Sequence, residues 1–369
     1  ALDWIEAQDD TFYRVEKAYF TASRCFDSLA QDYRGISAYN SNQNADIKQF
    51  VEQVWPMLNH ERDVNHIQFM NAIWDSTFAA LTDVKYVLSR SGNMNLEGYE
   101  KLTQVGEIFV YKNKKADSLG RFFTKTVTEA QYEEHKDELN VRALLTDTLI
   151  LEEESPYSLS GDRIKSSEQE MISDIIAEEL LPSYGNEETA GEKPLVIDVK
   201  LDPGKRKAFQ SVILELDIDA ENRTVVKVSI DGGYEHEFVQ NWKTPRTVCL
   251  ELPEEAETVT LTVDEPKGHL EISGFAVYGT RGETVPSGQA EITVNAPEKD
   301  SYLTGHISAG EDGYVMLAVP NENGWAVRLN GEEQELVNGD YGFIAFPVSA
   351  GEYDMEVIYT APLLQEGVV

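Results

Sequence analysis

The spacing of apolar residues changes once along the chain, near Leu195, from mixed periods to a sustained period of two. Before that point, Thr11-Phe12-Tyr13-Arg14-Val15-Glu16-Lys17-Ala18 alternates as a short strand does. Ile47, Phe50, Val51 and Val54 recur at helical spacing, with Asn44 placed to cap the helix and Pro56 to close it. Ile67, Met70, Ile73, Trp74, Phe78 and Leu81 mark a second helix, which leads into a strand over 83–89; another strand is expected over 107–112. Helices interleaved with strands predict a mixed α/β domain over 1–130.

Residues 131–195 hold 17 acidic against five basic side chains, the signature of a solvated connecting stretch. Within this segment, taken as 131–194, Ser167 and Glu170 have capping-box spacing. Met171, Ile172, Ile175, Ile176 and Leu180 follow on one face, which predicts one amphipathic helix.

After Leu195 the strands follow one another without helices. Leu195, Ile197, Val199 and Leu201 alternate with polar positions, and so do Val212, Leu214, Leu216 and Ile218. Further strands are expected at 224–230, 234–239, 247–252, 257–263 and 269–278, with Asp231-Gly232-Gly233 among the turns. Short strands in this density predict a jelly-roll-like β-sandwich over 195–287. A second, smaller sandwich is expected over 288–362, with strands near 290–295, 302–309, 313–319, 325–330, 341–348 and 352–359. Its hairpin signals are Asn330-Gly331 and Asn338-Gly339. The fold class is therefore α+β and multidomain: a mixed α/β unit followed by two antiparallel β-sandwiches.

Composition narrows the partners more than the fold. The 369 residues are 41% apolar, enough for real cores, and no apolar run is long enough to cross a bilayer. A net charge of −35 excludes a nucleic-acid backbone as partner, because phosphate binding needs a Lys/Arg surface. Two cysteines far apart, Cys25 and Cys249, make neither a disulfide framework nor a zinc site. The first residues, Ala1-Leu2-Asp3-Trp4, carry no leader, and the tail at 363–369 turns apolar; both fit a piece of a longer chain whose tail leads toward a membrane segment.

Chemistry is sparse. The sequence has no His-Glu-x-x-His, Gly-x-Ser-x-Gly, phosphate-binding loop or dinucleotide fingerprint, and its six histidines are scattered. No catalytic residue, metal ligand or cofactor is assigned; a structural divalent cation is left undecided. Asp217-Ile218-Asp219 has the spacing of a metal-binding pair in nucleotide-sugar transferases, but on a strand both carboxylates share the solvent face, so it reads as surface. Jelly-roll modules bind saccharides by stacking an aromatic ring on the sugar, with amides and carboxylates taking the hydroxyls. Asp231, Tyr234, Asn241 and Trp242 near one loop edge are the candidates for that role. Trp242 also reads as a plug at the end of a sandwich, the favoured reading, and Trp325, heading an alternating set with Val327 and Leu329, reads as core.

Two parts of the chain carry a family resemblance. Gly324-Trp325-Ala326-Val327-Arg328-Leu329-Asn330-Gly331, Phe343-Ile344-Ala345-Phe346-Pro347, Gly351-Glu352-Tyr353 and Val357-Ile358-Tyr359 form the first part. Tyr13-Arg14-Val15, Tyr33-Arg34-Gly35-Ile36-Ser37-Ala38-Tyr39-Asn40-Ser41 and Leu81-Thr82-Asp83-Val84-Lys85-Tyr86-Val87-Leu88-Ser89 form the second, the last run being the most specific. Together they resemble the YfhO family of bacterial membrane proteins. The hairpin at Phe346-Pro347-Val348-Ser349-Ala350-Gly351 is longer than the family's, and Tyr359-Thr360-Ala361-Pro362 has one extra residue.

The resemblance implies the extracytoplasmic region of a polytopic glycosyltransferase, with the transmembrane part of the same polypeptide as its first partner. Such enzymes take sugar from a polyprenyl-phosphate carrier and attach it to a cell-envelope polymer such as lipoteichoic or wall teichoic acid, outside a Gram-positive membrane. Their catalytic acid lies between early membrane helices, so none is carried onto this chain. A free-standing carbohydrate-binding surface protein and a purely structural cap are the alternatives. Because teichoic acid is a polyanion, the negative charge favours a role near the sugar donor or facing away from the polymer.

Overall fold

Alternation at period two becomes sheet through most of the protein. A computed structural model describes residues 1–19, 27–36, 44–54, 73, 76–116, 118–135, 147–159, 169–171, 195–200, 211–220, 224–233, 236–240, 246–253, 255–263, 270–280, 290–297, 299 and 301–362. Among them, 23 strands form five sheets beside five short helices.

The first sheet joins β1 (Arg14–Lys17), β2 (Val84–Ser89), β3 (Tyr99–Val105) and β4 (Ile108–Asn113) in the order β1-β2-β4-β3. β1 runs parallel to β2, and the remaining pairs are antiparallel. The same part of the chain holds α1 (Leu2–Glu6), α2 (Asp27–Ala30) and α3 (Ala45–Val54), whose Phe50 packs against Phe343. Asn44 caps α3 as expected, its Oδ1 accepting from the amides of Asp46 (2.8 Å) and Ile47 (3.0 Å). The expected second helix is described as α4 (Ser76–Leu81), while Ile67, Met70 and Trp74 lie outside the described residues.

Next come β5 (Gly120–Phe123), β6 (Thr126–Thr128), α5 (Glu129–His135) and β7 (Leu149–Leu151). Thr128 and Gln131 exchange hydrogen bonds at the start of α5. The Gln131 side chain accepts from the Thr128 amide at 2.9 Å, and the Thr128 hydroxyl from the Gln131 amide at 3.2 Å.

Residues 169–171 form β8 (Gln169–Met171), which pairs antiparallel with β15 (Leu270–Thr280). This corrects the expectation of a helix beginning at Ser167–Glu170: pairing with the edge of a sheet outweighs a local capping signal. The remainder of that expected helix lies outside the described residues. Two four-stranded antiparallel sheets occupy the middle of the chain. One has the order β13-β10-β15-β8, with β10 (Ser211–Ala220) and β13 (Arg246–Glu251). The other has the order β12-β11-β14-β9, with β9 (Leu195–Lys200), β11 (Thr224–Ile230), β12 (His236–Gln240) and β14 (Thr258–Val263).

The C-terminal strands divide between two sheets. β16 (Ala290–Val294), β17 (Tyr302–Ala309), β19 (Trp325–Leu329), β20 (Glu332–Glu333) and β23 (Gly351–Tyr359) form an antiparallel sheet of order β16-β17-β23-β19-β20. β18 (Gly313–Pro320), β21 (Val337–Gly339) and β22 (Phe343–Val348) join the earlier strands in a six-stranded sheet, β5-β18-β22-β21-β7-β6. Strand pairing thus runs across the boundaries drawn at 130 and 288: Phe122 opposes Val315, and Gly339 opposes Leu151. One hydrophobic cluster holds Phe50, Phe78 and Phe123 from the first half together with Ile307, Met316, Phe346 and Val357 from the last quarter.

The two expected hairpin signals fare differently. Asn330 (φ 50°) and Gly331 (φ 85°) make the turn between β19 and β20, as read from the sequence. Asn338 and Gly339 instead lie in β21, and the turn falls on Asp340 (φ 48°) and Tyr341 (φ 67°), closed by Gly342 N–H to Gly339 O at 3.1 Å. Packing explains the slip. A Cβ on Gly339 would lie 3.0 Å from the Ala345 side chain and 3.1 Å from that of Leu149, so the glycine serves a close approach between strands. Trp325 is partly buried against the core cluster, its ring 4.9 Å from that of Tyr359.

Candidate functional site

The segments that carry the family resemblance in the first third meet at the β1–β2 pair. Parallel pairing in the register Arg14↔Val84, Val15↔Tyr86, Lys17↔Leu88 brings together charged side chains far apart in sequence. Val15, Tyr86, Leu88 and Val110 form a small core with Ile5, and the charged groups gather at its margins.

At one margin, Asp9 is the hub. Its carboxylate takes an ion pair from Lys85 Nζ at 2.7 Å and hydrogen bonds from the Tyr86 hydroxyl (2.7 Å), the Thr11 hydroxyl (2.5 Å) and the Thr11 amide (3.0 Å). Burial pushes the Asp9 pKa up, but the donors together outweigh it and hold the group at about 2. Burial and the adjacent Asp9 raise the Tyr86 phenol well above its ordinary range. Lys85 Nζ also reaches the Thr11 hydroxyl at 3.1 Å, so it is anchored to residues 9–11.

At the other margin, Lys17 Nζ pairs with Asp27 at 2.5 Å with both side chains buried, and donates to Gln31 at 3.0 Å. Gln31 and the Tyr33 hydroxyl donate to the same Asp27 carboxylate at 2.6 and 2.9 Å, and Lys17 Nζ lies 4.7 Å from the centre of the Tyr33 ring. Such a set, with each buried charge matched, holds α2 and the following segment against β1.

Asp83, in the most specific of the resembling runs, breaks that pattern. It follows α4 with a left-handed backbone (φ 58°), a position open to Gly, Asn and Asp, and its side chain is fully buried. Neither carboxylate oxygen has a hydrogen-bond partner among the described residues. Burial raises its pKa to about 7, against the pull of Arg14, Lys85 and Arg121. Arg14 sits beside it, its amide donating to Asp83 O at 3.1 Å, but its guanidinium binds two carbonyls: Thr82 O (2.9 Å) and, in β18, Ala318 O (2.9 Å). Asp340 is a second buried acid raised to about 7 by burial; one of its oxygens accepts from the Ile150 amide at 3.0 Å and the other has no partner among the described residues.

Of the sugar-binding candidates, Asp231 is described. It occupies a turn with φ 48°, and its carboxylate accepts from the amides of Glu257 (3.1 Å) and Thr258 (2.7 Å), tying the loops at the end of the β11–β14 pair. Tyr234, Asn241 and Trp242 lie outside the described residues. Asp217 and Asp219 are on a strand, β10, as read from the sequence. No group of three or more His, Cys, Asp or Glu able to hold a metal occurs among the described residues, and no described helix is long and apolar enough to cross a membrane. Sequence reasoning singled out Arg14, Asp83 and Lys85 only as parts of resembling runs. Their one separate signal is charge inside alternating apolar strands.

Comparison with known proteins is consistent across the whole length. A family model described as bacterial membrane protein YfhO matches residues 1–369. A relative from Bacillus subtilis (strain 168), described as uncharacterized protein YfhO, is 23% identical over 368 residues, 96% of this chain and 41% of the relative. The chain therefore spans about 41% of the length of the relative it matches. Among solved structures, an anti-sigma factor domain-containing protein aligns over 49% of this chain and 80% of its own, at 13% identity and a TM-score of 0.17. Arabinofuranosyltransferase AftD from Mycobacteria aligns over 74% of this chain and 29% of its own, at 8% identity and a TM-score of 0.17. Similarities that low carry no argument about fold or chemistry.

Proposed function

The chain belongs to the YfhO family of bacterial membrane proteins, and from that premise we propose that it is an extracytoplasmic accessory region of a membrane-embedded glycosyltransferase. The whole protein would take sugar from a polyprenyl-phosphate carrier and transfer it to a cell-envelope polymer such as lipoteichoic or wall teichoic acid. This region would stand over the membrane-embedded site and join the transmembrane part of the same polypeptide. The observation that carries the reading is the use to which the resembling residues are put. Arg14, Tyr33, Lys85 and Tyr86 are engaged with neighbouring segments in a packed network, an arrangement that shapes and holds a surface.

Contact with sugar is proposed for Asn241 and Trp242, which follow Gln240 in the sequence, with Trp242 offering the stacking face. Asp231, held by two backbone amides, belongs to the opposite end of the β11–β12 pair, since Thr224 opposes Gln240 and Val228 opposes His236. Asp231, with Tyr234 close after it in the sequence, therefore does not share that edge.

The test uses cells whose own gene is deleted and complemented with the full-length protein, with sugar content of the envelope polymers as the readout. Trp242→Ala is expected to lower polymer glycosylation while leaving the protein in the membrane. Transfer or hydrolysis of a polyprenyl-phosphate sugar by the purified 369-residue chain alone would overturn the accessory reading.

A further inference from the structure

Asp83 is fully buried, neither carboxylate oxygen has a hydrogen-bond partner among the described residues, and the cation beside it is committed elsewhere. Arg14 reaches past Asp83, joining Thr82 O at the end of α4 to Ala318 O in β18, so one guanidinium fastens the N-terminal sheet to the six-stranded sheet. We propose that Arg14 is a two-position tie operated by the Asp83 proton: with Asp83 neutral it holds Ala318, and with Asp83 ionised it exchanges that carbonyl for the carboxylate and releases β18.

The groups that face Asp83 limit the alternatives. They are Arg14 from β1, Lys85 from β2, Arg121 from β5 and Asp9 from the segment before β1. Lys85 is held by Asp9 and Thr11, and Asp9 can only oppose a new negative charge. Arg14 is backbone-bonded to Asp83 itself, at 3.1 Å from amide to carbonyl, so the two side chains start from neighbouring points of the backbone. An isolated carboxylate cut off from water is costly, and a guanidinium–carboxylate pair adds an attraction of opposite charges that a neutral carbonyl does not supply. Ionisation therefore favours the second position, and the midpoint near 7 puts the exchange in the range where an envelope protein meets changing external pH.

Hydrogen exchange of the purified 369-residue chain, corrected for the intrinsic rate, tests the tie between pH 6 and 8. Amides of 313–320 and 11–17 are expected to gain roughly tenfold in exchange across that range, following the ionised fraction, and Asp83→Asn to abolish the gain. Equal profiles in wild type and Asp83→Asn overturn the proposal. Should the variant not fold, NMR of the native protein decides it. An Asp83 carboxyl titrating near 7 together with a concerted shift at Arg14 Nε supports the tie. A midpoint near 4, or a midpoint near 7 with Arg14 unmoved, overturns it.

Discussion

Phe123→Ala tests whether the C-terminal strands fold by themselves. Phe123 lies on β5, is fully buried, and belongs to the same hydrophobic cluster as Phe346, Met316 and Ile307. Its strand pairs with β18, with Tyr314 opposite Phe123. Truncating a buried Phe costs roughly 3–5 kcal/mol through lost burial and the cavity left behind. The neighbours here come from two sheets fixed by their own hydrogen bonds, so little collapse into the cavity is expected. If 288–362 were self-contained, that loss would fall on residues before 130 alone. Because the sheet is shared, the loss should reach β18 and β22 in full. Guanidinium denaturation followed by hydrogen exchange of 313–320 and 343–348 reads this directly. Protection there should fall by the same free energy as at 120–123. Unchanged protection of the C-terminal strands in Phe123→Ala would refute the shared core.

Other expectations are local. Asp9, held at about 2 in the folded protein, contributes stability that is complete above the ordinary carboxylate value and is lost as pH falls toward 2. A denaturation series from pH 5 to 2 should show wild type losing about 2 kcal/mol more than Asp9→Asn. Thr128→Ala removes half of the reciprocal cap on α5 and should cost ~1 kcal/mol, seen as faster exchange over 129–135. Gly342→Ala would place a Cβ 2.6 Å from Asp46 O, so α3 and the Asp340–Tyr341 turn must separate; a loss of about 1–3 kcal/mol in thermal unfolding is expected.

The sequence made the strands legible because their signal is local: alternation and turn residues mark β11, β17 and β23 within a residue or so of where they lie. Two pairs of similar motifs show where that legibility stops. Asn330-Gly331 is a turn and Asn338-Gly339 is not, because Leu149, far away in sequence, packs on Gly339. Thr128 and Gln131 form a reciprocal cap at the start of a helix, whereas the stretch after Ser167 enters a strand that pairs with β15. In each pair the deciding partner is remote. The same holds for the candidate site: the resembling runs were readable, but only the parallel β1–β2 register shows that Asp9 meets Lys85 and that Arg14 passes Asp83.

The six-stranded sheet also sets a schedule. Its strands at 120–128 and 149–151 leave the ribosome long before their partners at 313–348 exist. At about 5–20 residues per second, the early strands wait on the order of ten seconds or more with apolar faces and strand edges open. During that interval Phe122, Phe123 and Ile150 lack the part of their native cluster that Met316, Phe346 and the other C-terminal residues supply. The intervening strands β8–β15 fill the wait with hairpins that can close among themselves.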